Sequence, residues 1–194
     1  MKSKERAQVL VIVTILLVVL MLLFAVIVDG GHLMIQNHQI GRVADAASKA
    51  GMVVVGDRMV TQAVWRQSEA AMRPPCIPDA GYGAPGAACT ATPQPQDIPA
   101  WLTDEDRAAL VSPAMQTPVA AAVLEYAEHN GAAPSSPNMC EVTVTYPFDY
   151  QPGDKNLRLR VHLHCHVAIL LTGLLGQDQV GISAEGEQSL PQRK

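Results

Sequence analysis

The strongest constraint on this chain is an unbroken apolar run, Val9–Val28 (VLVIVTILLVVLMLLFAVIV), with no charge and one hydroxyl, Thr14. As a helix rising about 1.5 Å per residue, it reaches roughly 30 Å, the thickness of a bilayer's hydrocarbon core. A core helix of a soluble protein keeps a polar face over such a length, and this one has none. Thr14 can return its hydroxyl to a carbonyl one turn back, so it leaves nothing unpaired. The run predicts a transmembrane helix.

Lys2, Lys4 and Arg6 precede the run, whereas Arg42 is the only Lys or Arg between Asp29 and Asp45. That bias predicts a cytoplasmic N-terminus and an extracytoplasmic remainder. The run is longer than the ~7–15 apolar residues of a cleaved signal peptide. The small-x-small triplet Ala44-Asp45-Ala46 lies well beyond it. The expectation is an uncleaved signal-anchor.

Composition excludes some classes. A formal net charge of −4 gives no basic face for nucleic acid. Aromatics at 4% leave little for a base-stacking surface or an aromatic-lined pocket. Cys76, Cys89, Cys140 and Cys165 all fall in the part placed outside, where thiols oxidise. Four cysteines allow three disulfide connectivities. The expected one is Cys76–Cys89 with Cys140–Cys165, and no C-x-x-C supports a zinc ribbon or a redox motif.

The chain divides by pattern into a basic N-terminus (1–8), the membrane helix (9–28), a long helix (29–73), a loop (74–100), a block of short helices and strands (101–188) and a polar tail (189–194). Asp29-Gly30-Gly31 is a weak point where the helix could bend. Beyond it Leu33, Ile40, Ala47 and Val54 recur every seven residues, joined by Val43, Ala50 and Gly51. The segment Ala44-Asp45-Ala46-Ala47-Ser48-Lys49-Ala50-Gly51 is rich in small side chains, which permit close approach of a second backbone. Seven of the fourteen prolines fall in residues 74–99, which therefore suit neither a helix nor a central strand.

Thr103-Asp104-Glu105-Asp106 reads as a helix cap followed by acids at the positive end of the dipole. Thr117-Pro118 opens a second short helix and Asn130-Gly131 closes it, with Val119, Val123, Leu124 and Ala127 as the buried stripe. From Cys140 the period becomes two. Cys140, Val142, Val144 and Tyr146 share one face, as do Leu157, Leu159, Val161, Leu163, Cys165 and Val167 beyond the turn signal Gln151-Pro152-Gly153-Asp154. With Pro152 and Gly153 as the loop, Cys140 faces Cys165 and Glu141 faces His164. A one-residue slip would turn the apolar face to water, so the parity is fixed although the register is not. Val167–Leu175 is apolar but too short to span a membrane, and Gln179–Glu187 is a candidate final strand. The fold class is α+β: a transmembrane helix continues into a long amphipathic helix packed on a small antiparallel sheet, a pilin-like arrangement.

These landmarks together resemble the TadE/TadG-like proteins of tight-adherence (Flp) pilus systems. Glu5-Arg6-Ala7-Gln8 is similar to the family's approach to the membrane helix, and Val28-Asp29-Gly30-Gly31-His32-Leu33 to its V-D-x-G-[RH] exit. The 44–51 segment resembles its A-D-A-A-A-L-A-G helix. Tyr126-Ala127-Glu128-His129-Asn130-Gly131 with the Val142–Tyr146 strand resembles the later helix-NG-strand block. The likeness covers 5–56 and 122–187. Ala7 stands where the family usually has Gly, and no Gly ahead of Glu5 offers a prepilin-peptidase site, which favours the uncleaved, TadG-like form.

Candidate chemistry is thin. His162, His164 and His166 alternate on one strand face, but histidines so spaced splay apart, with Glu141 the one evident further ligand. No G-x-S-x-G elbow is present, and Asp104, Glu105 and Asp106 lack calcium-loop spacing. No catalytic residue, cofactor or metal is assigned. The resemblance implies a structural component of a pilus or secretion apparatus in the bacterial cytoplasmic membrane. Its partners would be membrane lipid, other subunits of the apparatus and further copies of this chain as a homo-oligomer. The rival reading is a membrane-anchored ligand- or metal-binding module using the 74–99 loop or the histidine face.

Overall fold

The computed structural model describes residues 2–72, 97–136, 139–169 and 179–193. The element order is α1 (Lys2–Met72), α2 (Ile98–Trp101), α3 (Asp104–Leu110), α4 (Pro113–His129), β1 (Glu141–Thr145), β2 (Asn156–Ala168) and β3 (Gln179–Pro191). The strands form one antiparallel sheet with β2 in the centre, so the α+β architecture is observed.

α1 is a single helix of 71 residues, about 106 Å long. It does not break at Asp29-Gly30-Gly31. Two glycines cost about 1 kcal/mol each relative to Ala, which the hydrogen-bond ladder propagating from both sides outweighs. The stripe on α1 also differs from a strict heptad. Ile40, Ala44, Ala47, Ser48, Gly51, Met52, Val55, Met59 and Ala63 are buried, whereas Val54 is half-buried. A straight helix drifts about 20° per heptad, so the covered line moves from the 47/54 row to 55, 59 and 63.

The chain packs as two compact units. One contains Met1–Ala47, Leu124–Thr143 and Val161–Gly186; the other contains Ser48–Val123, Val144–Arg160 and Glu187–Lys194. In the first, β3 meets the helix through Gly186, where an added Cβ would overlap the Ala44 carbonyl and lie 2.7 Å from the Asp45 nitrogen. The close approach that the small side chains of 44–51 permit is thus to a strand. Cys140 and Cys165 join β2 to the start of β1, their Cα atoms 4.0 Å apart. α4 ends here in a Schellman turn: Ala132 N donates to Ala127 O (2.8 Å), Gly131 N to Glu128 O (3.0 Å), and Gly131 adopts φ +74°.

In the second unit, Gly51 faces Val123 and Leu159, whose methyls would stand 2.6 and 2.7 Å from an added Cβ. α4 begins at Pro113, five residues before Pro118, the expected first helical residue, so Pro118 lies inside it. Pro118 has no N–H to offer the Ala114 carbonyl, and both residues are exposed, so that carbonyl is not shut away from solvent. Met115, Val119, Val123 and Ala127 form the buried row along α4, at spacings of four. Leu124, expected in that row, is 45% exposed because it sits 100° round the helix from Val123.

β2 shows strict alternation. Its odd-numbered residues from Leu157 to Val167 are buried, while Arg158, His162 and His166 are exposed. β1 stops at Thr145, short of the expected hairpin tip. Pro147 has no N–H to continue the ladder, and residues 146–155 form a longer connection. Within it Phe148 N still donates to Arg158 O (2.8 Å), and Asp154 N to Gln151 O (3.0 Å). β3 extends through Pro191, so residues 189–191 of the expected 189–194 tail are strand. Gln192 is fully buried, its Nε2 donating to Asp154 O (2.8 Å) and its backbone N to Lys155 O (2.8 Å). The 74–100 loop, except its end at Asp97 and α2, and residues 170–178 lie outside the described residues.

Gly186→Ala should cost more than Gly51→Ala, because the first meets fixed helix backbone and the second meets side chains that can turn. Overpacking typically costs about 1–3 kcal/mol, and Gly186→Ala is expected at or above the top of that range. Denaturant unfolding of the detergent-solubilised full chain checks the order; equal costs would mean that β3 can retreat from α1.

Candidate functional site

Two surfaces are candidates for a function: the start of α1 and the wet face of the sheet. The first is the start of α1. From Val9 to Val28 the large apolar side chains are 45–70% exposed, and among the described residues nothing covers the most apolar stretch of this helix. Thr14 Oγ1 donates to Leu10 O (2.8 Å), which satisfies the single polar side chain. The segment is long and apolar enough to cross a membrane, and its surface has no aqueous use. Asp29, immediately after the run, is only 8% exposed.

The second surface is the wet face of the sheet. In the first unit, His164 Nδ1 lies 2.8 Å from Ser183 Oγ on β3, and the His164 and His166 rings meet edge to face with centroids 5.1 Å apart. His162 is exposed. Among the described residues, no group of three or more His, Cys, Asp or Glu side chains is gathered to hold a metal ion. In the second unit, Arg160 Nη2 donates to Glu187 Oε2 (3.0 Å), and its guanidinium carbon stacks 3.6 Å from the Phe148 ring centroid. These pairs tie β2 to β3 and to the connection after β1, which is structural work.

The acidic cluster 104–106 is a helix cap. Asp106 N donates to Thr103 Oγ1 (3.2 Å), and Thr103 N donates back to Asp106 Oδ2 (3.0 Å), closing a capping box. Arg66 then grips the same carboxylate twice, Nε to Oδ2 (3.1 Å) and Nη2 to Oδ1 (3.2 Å). Burial alone would raise the Asp106 pKa; the donors from Arg66 and Thr103 outweigh it and bring it down to about 2. Hydrogen bonding to Asp106 raises Arg66 correspondingly. Arg107 reaches Pro99 O (3.0 Å) and Gln192 O (3.2 Å), and Tyr146 OH donates to Leu110 O (2.9 Å) at the end of α3. Burial pushes the Tyr146 pKa up.

Cys140 and Cys165 form a disulfide, both nearly inaccessible, while Cys76 and Cys89 lie outside the described residues. Sequence reading missed the Arg66–Asp106 pair, whose partners stand forty residues apart and carry no local signature. It also missed Gly186, although an isolated glycine within an alternating strand is a sign of close backbone approach.

These features place the weight of the chain on its first sixty residues. Residues 7–58 match the protein-family model described as Flp pilus-assembly TadE/G-like. Over that span the chain is similar to the TadE/G-like family. The match takes in the membrane run, the Val28–Leu33 exit and the small-residue segment that packs beneath the sheet. It is well short of half the chain, and the likeness of residues 122–187 lies outside it. No curated protein and no solved structure matches the chain. The apolar helix and the TadE/G-like segment together support membrane anchoring and a pilus-assembly role.

The Asp106 carboxylate makes an acid-limb prediction. Its folded pKa lies below its ordinary 3.8, so its contribution is complete above about pH 4 and is lost as pH falls through about 2. The stake is about 2 kcal/mol, and Asp106→Asn should flatten stability over that window. Equal acid sensitivity in wild type and variant would remove Asp106 from the account. For the disulfide, Cys140→Ser with Cys165→Ser should cost about 3 kcal/mol on the chain-entropy model. Denaturant midpoints measured with and without reductant check this, and the double variant should show no further response to reductant.

Proposed function

We propose that this protein is a membrane-anchored, extracytoplasmic component of a Tad/Flp-type pilus-assembly or secretion apparatus, acting by position and contact without catalysis. The observation that carries the reading is the continuity of α1. One helix joins an exposed apolar segment to the small-residue face on which β3 rests, and this is the span that is TadE/G-like. Force and position applied to the anchor reach the folded part without an intervening hinge.

The outward orientation is supported by Lys2, Lys4 and Arg6 on one side of the run against Arg42 on the other. The Cys140–Cys165 bond favours the same side, since such bridges persist in oxidising compartments. A second bridge, Cys76–Cys89, belongs to the same proposal. On this reading residues 1–8 are cytoplasmic, 9–28 span the membrane, and the chain from 29 onward faces other subunits of the apparatus.

A reporter active only outside the cytoplasm, fused after Lys194, should be active. Deleting the gene should abolish surface filaments or secretion while the major pilin is still made. Exchanging the anchor for a cleavable signal should fail to restore assembly, because tethering holds the domain beside the machinery. A silent reporter would reverse the orientation, and full rescue by the untethered domain would replace an anchored role with a diffusible one.

A further inference from the structure

On the wet face of the first unit, two imidazoles stand closer than their strand positions ask. Side chains at alternate positions of a strand leave Cα atoms roughly 7 Å apart and tend to splay. His164 and His166 instead bring their ring centroids to 5.1 Å, with the ring planes at 89°. When two imidazoles bind one metal ion through nitrogens about 2.0–2.1 Å from it, each ring centroid lies about 3.2 Å from the ion. At a tetrahedral angle those centroids are then about 5.2 Å apart. Edge-to-face contact between rings falls in the same range of distance, so the spacing alone does not decide between the two. The residues that β3 sets beside the pair do.

Ser183 Oγ lies 2.8 Å from His164 Nδ1, which leaves Nε2 as the nitrogen open to a ligand. A metal-binding histidine is commonly oriented by such a bond at its other ring nitrogen. Gly181, two residues earlier on β3, clears the space around that open nitrogen. A Cβ added there would stand 3.3 Å from His164 Nε2 and 3.1 Å from Cε1. Gly181 lies within the strand and is not one of the glycines at positive φ, so its backbone does not call for glycine. What its missing side chain provides is access to the imidazole.

We propose that His164, through Nε2, and His166 form a two-histidine site for a divalent transition-metal ion, with Ser183 orienting His164 and Gly181 keeping the approach open. Imidazole nitrogen suits zinc, copper and nickel, and the near-tetrahedral spacing fits zinc. Among the described residues no group of three or more His, Cys, Asp or Glu is gathered for a metal, so water takes the remaining coordination positions. Two protein ligands with an open remainder make an exchangeable site, unlike the closed four-ligand kind that holds a fold together. The inference needs only β2 and β3 of the first unit, and it stands apart from pilus assembly and from the orientation of the membrane helix.

The test uses the full chain in detergent, carrying Cys76→Ser and Cys89→Ser so that no thiol competes for metal. Zinc is titrated calorimetrically, and cobalt replaces it for the visible spectrum. Zinc should bind saturably at one ion per chain, and cobalt should give the intense bands of tetrahedral coordination. His164→Gln and His166→Gln should each weaken zinc by at least about tenfold, and Ser183→Ala by on the order of tenfold, the loss usual when an orienting partner is removed. Gly181→Ala should weaken zinc while leaving the metal-free thermal melt unchanged, and His162→Gln should leave the affinity as it was. Absence of saturable zinc binding would overturn the site. Loss in His162→Gln equal to that in His166→Gln would replace the pair with a diffuse histidine surface. Full affinity in Ser183→Ala or in Gly181→Ala would strike that residue from the site.

Discussion

The apolar surface of Val9–Val28 has to be kept from water, and no part of the described chain covers it. At ~25 cal/mol per Å² of apolar area, twenty such residues represent a driving force far larger than the few kcal/mol by which a domain is stable. A bilayer is the environment that satisfies it. Everything further along α1 inherits that placement, because the helix passes through Asp29-Gly30-Gly31 without a break. The glycines meet no neighbouring atom, so their tolerance comes from the ladder itself.

The membrane requirement stops at the exit of the run, and the packing requirement takes over. In the first unit Ala44 leaves room for another backbone, and β3 fills it at Gly186 where no Cβ fits; in the second, Gly51 leaves room for the Val123 and Leu159 side chains. An α-helix usually meets a sheet through interdigitating side chains. Here helix backbone meets strand backbone at Gly186, and along β2 Leu157, Leu159, Val161 and Leu163 are fully buried. The polar contacts follow as local repairs, among them the capping box gripped by Arg66 and the end of α3 closed by Tyr146. Each pairs a group that the apolar packing would otherwise strand, which is why none of them resembles a reactive constellation.

That division of labour fits a component whose product is an arrangement in space. Ser183 beside His164, and Arg160 between Glu187 and Phe148, are cross-strand contacts on a sheet face. They hold strands in register. The TadE/G-like match falls on the membrane helix and the packing stripe, the two features that fix where the protein sits.

The sequence by itself determined whatever depends on neighbours a few residues apart. The apolar run, the helix cap at Thr103, the Asn130-Gly131 helix end and the alternation of β2 are set by local period and chemistry, and they were legible. The alternation also fixed which residues share a face, and hence that Cys140 and Cys165 lie on the same one. Tertiary structure decided the rest. It chose Val55 over Val54, because only the sheet's position says which line of a drifting stripe is covered. It ended β1 at Thr145 and carried β3 to Pro191, because ladder length depends on the partner strand. It brought Arg66 to Asp106 across forty residues and set Gly186 on Ala44, since no sequence period encodes the distance between two elements that meet only when the chain folds.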